Sequence, residues 1–133
     1  MTSDMVDVIR NQAIHSRQYL DNALSALQQG EAGKAGELLW GSVALAIQAV
    51  ATSRNLNIDT HRKLRNFVLQ LAIDLNDEAM RTDFLVAESL HYNFYVIERE
   101  PQDITILVPN IERLVDRLFS LIAPELLEQQ PTS

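Results

Sequence analysis

Cysteine is absent from this chain of 133 residues, so neither a disulfide framework nor thiolate chemistry is open to it. The absence suits a cytoplasmic protein. Glycine is limited to four positions, Gly30, Gly33, Gly36 and Gly41, all within one short stretch. Aromatic residues make up only 6% of the chain. They are densest in the block Leu90-His91-Tyr92-Asn93-Phe94-Tyr95. Positive charge is also in short supply. Eleven Lys and Arg face eighteen Asp and Glu, a net charge of -7. Such a surface repels phosphate backbones, which disfavours broad nucleic-acid binding unless a local basic patch overrides the average. The first ten residues, MTSDMVDVIR, lack the basic-then-apolar pattern of a secretory signal. The apolar run that begins at Leu38 is shorter than the roughly 20 residues that span a bilayer. No membrane partner is expected.

What the chain does have is that apolar run. Leu38 to Ala51 reads LLWGSVALAIQAVA, with Ser42 and Gln48 as its polar interruptions. A helix apolar on nearly every side must be enclosed by other helices. The length suits one domain, and 47% hydrophobic residues can furnish its core. Apolar residues recur at helical spacing almost throughout, with no convincing strand pattern. The prediction is an all-α, single-domain bundle of about five mostly antiparallel helices around a central, buried second helix. It occupies residues 1–124, with a frayed tail over 125–133.

The first helix is expected from about Asp4 to Gln29, burying Val6, Ile9, Ala13, Leu20, Ala23, Leu24 and Leu27, with Gly30 ending it. The second runs from Glu31 or Lys34 to Ser53. Gly36 and Gly41 lower its helix propensity and point to a neighbour packed close to its backbone. Asp59 or Thr60 caps the third helix, which turns Leu64, Phe67, Val68, Leu71 and Leu75 inward. Asn76 or Asp77 caps the fourth, whose inner face holds Met80, Phe84, Ala87, Leu90, His91 and Phe94. Asp103 caps the fifth, with Ile104, Leu107, Val108, Ile111, Leu114, Val115, Leu118 and Ile122 as its stripe. Pro109 kinks or divides that helix, and Pro124 stops it.

Three groupings could hold chemistry. His91 shares a helix face with Phe84, Ala87 and Tyr95. It either lines a pocket with Tyr92 and Tyr95, or is a core histidine bonded to another helix. His61, Arg62, Lys63 and Arg65 open the third helix, where free backbone N–H groups suit an anion. The alternative is a solvated turn whose cations pair with nearby carboxylates. Lastly, Arg10 precedes His15, and Arg54 precedes His61, at spacings of a kind that can cleave RNA by stabilising phosphorane charge and moving protons. Positions five apart on a helix diverge by about 140°, so Arg10 and His15 would meet only across a dimer. Arg54 and His61 flank a loop and could converge. No metal-ligand spacing, nucleophile elbow or glycine-rich phosphate loop is present, and no metal or cofactor is expected. Asp74, Asp77, Glu78 and Asp83 form an acidic patch that reads as capping and solvated charge.

The segment AIHSRQYLDNALSALQQGEAGKAGELLWGSVALAIQAVA, followed by His61 and then by LHYNFY, resembles the HEPN-like superfamily of helical bundles. It is most similar to the archaeal paralogous-repeat (PaREP-type) branch and its bacterial relatives, from about Ala13 to Leu121. The resemblance implies a bundle of four or five helices that forms a homodimer. It also implies roles among toxin ribonucleases, partners of nucleotidyltransferases in toxin–antitoxin pairs, and members without demonstrated activity. Ribonuclease members place an arginine shortly before a histidine on a late helix. No arginine stands at that spacing before His91, and the match RNQAIH lies on the first helix, so the catalytic residues of the superfamily do not transfer. The expected function is therefore a non-catalytic HEPN-like protein that self-associates and binds a partner protein or an anionic, nucleotide-like ligand. His61, Arg62 and Arg65 would serve the anion, and His91, Tyr92 and Tyr95 a pocket. The alternative is a metal-independent ribonuclease using Arg54 and His61, or Arg10 and His15.

Overall fold

The computed structural model describes residues 2–92 and 99–128. Among them the chain forms seven helical segments and no strand: α1 (Ser3–Gln28), α2 (Ala32–Ser53), α3 (His61–Asp74), α4 (Glu78–Tyr92), α5 (Pro101–Thr105), α6 (Val108–Phe119) and α7 (Pro124–Leu127). The fold is an all-α, single-domain bundle, as the helical periodicity predicts.

Local chemistry sets the ends of these elements. Thr2 caps α1 by accepting from Met5 N at 3.2 Å. Gly30, at φ +77°, turns the chain out of α1, and Glu31 N donates back to Ala26 O at 2.9 Å. Of the two candidate caps for α3, Thr60 does the work, its Oγ1 accepting from Lys63 N at 3.2 Å. Of the two for α4, Asp77 accepts from Met80 N at 3.0 Å. Asn55 and Asn76 take positive φ in the turns that follow α2 and α3, a conformation asparagine tolerates better than most residues.

At the centre lies α2. Of its residues only Lys34 is exposed, and Leu39, Val43, Ala46, Ile47 and Val50 are wholly buried. It packs on α1, α3, α4, α5 and α6. The helix is longer than the apolar run within it. At 22 residues it is long and apolar enough to cross a membrane by length and composition, which corrects the expectation that it falls short. Burial of its flanks by the other helices accounts for that apolarity. The core is completed by Ile9, Leu20 and Ala23 of α1, Leu64 and Val68 of α3, Met80, Phe84 and Ala87 of α4, and Ile111, Leu114, Val115 and Leu118 of α6.

Several expectations are corrected. Leu24 and Leu75 are exposed rather than inward. Of the two outcomes expected at Pro109, division is the one that occurs: the fifth predicted helix splits just before it into α5 and α6. Asp103 does not cap α5 but sits in its first turn and accepts from Glu100 N at 3.1 Å. Pro124 stops nothing; it opens α7, whose Leu126 and Leu127 pack against the core. Arg10 Nη2 donates to Glu125 O at 3.1 Å and ties α1 to this segment. Asp83 is not part of a solvated patch. It is buried on α4 and clamps α6, accepting from Arg113 Nη2 and Nε at 2.7 and 2.8 Å and from Asn110 Nδ2 at 2.9 Å.

Candidate functional site

Three helices each bring a pair of side chains to one place. Helix α2 supplies Glu37 and Trp40, three residues apart and so on one face. His61 and Arg65, four apart, come from α3. Glu88 and His91, three apart, come from α4. Capping by Thr60 starts α3 so that His61 is its first residue, and the buried stripe of Phe84, Ala87 and Leu90 turns Glu88 and His91 toward α2 and α3.

Trp40 is the floor, 8% exposed. His61 and His91 lie over its ring system, with ring centroids 5.4 and 5.2 Å from it, and the two imidazoles are nearly parallel at 6.0 Å from each other. Phe84 abuts Trp40 from beneath at 6.0 Å. A glutamate from another helix meets each imidazole. His61 Nε2 lies 3.0 Å from Glu88 Oε2, and His91 Nδ1 lies 3.4 Å from Glu37 Oε2. Arg65 Nε donates to both Glu88 oxygens, at 3.1 and 3.3 Å. The His61 and His91 side chains are 30% and 37% exposed, that of Glu88 only 12%. The cluster is therefore half open, with its carboxylate deeper than its imidazoles. Glu37 Oε1 is buried and has no hydrogen-bond partner among the described residues, an acceptor oxygen such as a ligand donor would satisfy. Among the described residues no three His, Asp or Glu side chains come together to hold a metal ion.

Of the residues singled out from sequence, the fold unites His61, Arg65 and His91. Arg62 is exposed beside them on α3. Tyr92 ends α4, and Tyr95 lies outside the described residues, as do Asn93 and Phe94. His91 is bonded across helices to a carboxylate that its own helix does not contain. Lys63 pairs with Asp59 at 2.9 Å, which lowers the Asp59 carboxyl below the usual carboxylate range through the hydrogen bond and charge of Lys63. Within one chain Arg54 and His61 line no common cavity, and the pairing of Arg10 with His15 concerns a dimer. Arg54 lines a separate cavity with Leu56, Asn57 and Phe67, of which His61 is not a wall. Arg10 is engaged at Glu125, whereas His15 is exposed.

Sequence reading overlooked Glu37, Glu88 and the part played by Trp40. The signal was present: Glu37 interrupts an otherwise apolar or small face one turn before Trp40, and Glu88 stands one turn before His91.

Fold and site together define an all-α bundle whose central helix lends a tryptophan and a glutamate to a two-histidine cluster. The pattern of the Archaeal PaREP1/PaREP8 family matches residues 12–115, and the chain belongs to that family. The matched span includes all six cluster residues. No curated protein and no solved structure matches the chain.

Proposed function

We propose that the chain is a non-catalytic binding protein of the HEPN-like type that self-associates and takes an anionic, nucleotide-like ligand at the Trp40–His61–His91 cluster. One observation supports the reading above others. An aromatic floor, two half-exposed imidazoles and an arginine, drawn from three helices, meet beside a buried glutamate oxygen that lacks a donor among the described residues. Planar rings stack on such aromatic and imidazole faces, an oxyanion pairs with arginine and histidine, and a hydroxyl or amino group of the same ligand would complete Glu37. The net charge of -7 favours a small anion over a long phosphate backbone.

Trp40 is the only tryptophan, so its fluorescence reports the site directly. Titration with adenosine monophosphate is expected to give a saturable change that His91→Ala abolishes. Absence of any change, with adenosine and inorganic phosphate also silent, removes the reading. Self-association is checked by sedimentation, where a homodimer is expected.

A second reading is favoured by the two imidazoles at 6.0 Å, each against a glutamate. In that arrangement one ring can accept a proton while the other donates one, the requirement of a metal-independent ribonuclease. Cleavage of single-stranded RNA that is lost in both His61→Ala and His91→Ala would replace the first reading with this one.

A further inference from the structure

Helix α4 carries two carboxylates gripped by arginine, Asp83 buried and Glu88 12% exposed, and they are gripped differently. Arg113 reaches Asp83 with two nitrogens, Nε and Nη2, at 2.8 and 2.7 Å. That is the fork-to-fork geometry of a fixed ion pair, and the Asp83 side chain is 2% exposed. Arg65 meets Glu88 with Nε alone, at 3.1 and 3.3 Å. Both Arg65–Glu88 hydrogen bonds come from that single nitrogen, so neither terminal amino group is committed to Glu88. The remaining grip on Glu88 is the imidazole of His61. Glu88 thus lies between a guanidinium and an imidazole, held by longer bonds than its counterpart on the same helix.

We propose that Glu88 is an internal stand-in for the anionic group of the ligand. Its carboxylate fills the oxyanion position between His61 and Arg65, and a ligand phosphate enters by exchange with it. This rests on the binding reading above and specifies the anion: a phosphomonoester whose oxygens replace Oε1 and Oε2. The planar part of the ligand then lies against the half-exposed His91 ring, which Trp40 backs from below. Arg62, exposed one turn before Arg65, adds a second cation at the entrance, and Glu37 faces the site from α2 as its other charge. Releasing Glu88 turns an already neutralised pocket into one with uncompensated positive charge, which is what an incoming phosphate requires. In the resting protein the same contact keeps the position closed to weaker anions.

The test measures adenosine monophosphate and inorganic phosphate binding by calorimetry in the full chain and in Glu88→Gln and Glu88→Asp. Glu88→Gln removes the competing charge. Glu88→Asp retains the charge but draws it back by one methylene, out of reach of His61 and Arg65. If exchange limits affinity, both variants bind adenosine monophosphate more tightly, by about ten- to a hundredfold, the scale of a lost charged hydrogen bond. Folded variants that bind no more tightly than the parent chain overturn the exchange while leaving the binding reading in place. If neither parent nor variants bind either probe, both fall. A crystal of the parent chain with adenosine monophosphate decides independently of the variants. Phosphate between His61 and Arg65 with Glu88 turned aside supports the proposal, and phosphate elsewhere with Glu88 in place overturns it.

Discussion

The ring of Tyr19 lies where a side chain on Gly41 would begin. A Cβ at position 41 would stand 2.7 Å from Tyr19 Cδ2 and 2.9 Å from Cε2. Helices α1 and α2 meet closely here, and one residue on the α2 side is Ser42. Its Oγ donates to Ser16 O at 2.8 Å while Ser16 Oγ donates to Ser42 O at 2.7 Å. Close approach therefore satisfies two buried hydroxyls as well as seating an aromatic ring. By contrast, a Cβ on Gly36 would meet Leu90 O and Ile104 Cδ1 only at 3.8 and 3.9 Å, so of Gly36 and Gly41 just Gly41 is crowded by its neighbour.

Gly41→Ala sets two effects against each other. Alanine gains about 1 kcal/mol of helix propensity, while Tyr19 must leave its seat. The ring is 40% exposed and can swing outward, so the net change in stability should stay within about 1 kcal/mol. In a Tyr19→Ala background the obstacle is gone, and the same substitution should stabilise by about 1 kcal/mol. Urea melts of the four proteins give the coupling directly. Equal effects of Gly41→Ala in both backgrounds would mean that the ring imposes nothing.

Asp83 and Arg113 should respond unequally to truncation. Arg113→Ala leaves a buried carboxylate with Asn110 as its remaining hydrogen-bond partner at 2.9 Å. Asp83→Asn leaves an arginine that is 57% exposed and readily hydrated. Uncompensated buried charge is the greater penalty, so Arg113→Ala should lower the melting temperature more than Asp83→Asn. The opposite order in thermal melts would show that the arginine, not the carboxylate, is the dependent partner.

What the sequence made legible follows from how far its signals reach. Burial of α2 is written in consecutive residues, and Trp40, Val43 and Ile47 are inside as the apolar run demands. Capping is equally local: Thr60 and Asp77 were each one of two adjacent candidates. The site was legible by half. His61, Arg65 and His91 are conspicuous residue types, but their carboxylate partners lie 27, 23 and 54 positions away, and no periodicity links residues on different helices. Asp83 was misread for the same reason. An acid in a polar stretch looks solvated until α6 is folded over it. Leu24 fell on the periodic stripe yet lies at its margin, in a groove with Val108 and Pro109.

Acid stability should depend on Asp77. Met80 N and then Arg117 Nε, at 3.0 and 2.9 Å, hold its carboxyl below the usual carboxylate range. In the unfolded chain it titrates near about 3.9. The ionised form therefore stabilises the fold in full above that pH, and the contribution is lost as pH falls toward the lower folded value. Asp77→Asn should reduce stability at neutral pH and flatten the decline between about pH 4 and pH 2. Unfolding free energies measured across that range check it, and an unchanged acid slope would refute it.

Glu37 offers a trade between stability and binding. Its Oε1 is buried without a partner among the described residues, and its Oε2 approaches His91 only to 3.4 Å, a long hydrogen bond. Replacing it by leucine removes an unsatisfied oxygen and sets a methyl-bearing chain one turn from Trp40. Stability should rise by roughly 1 kcal/mol, the scale of an unmade hydrogen bond. Binding of adenosine monophosphate should weaken in the same variant, because the acceptor reserved for a ligand donor is gone. Thermal melts and Trp40 fluorescence titrations on one preparation test both halves. A variant that melts higher and still binds as the parent does would remove Glu37 from the site, and one that melts lower would make its contact with His91 structural.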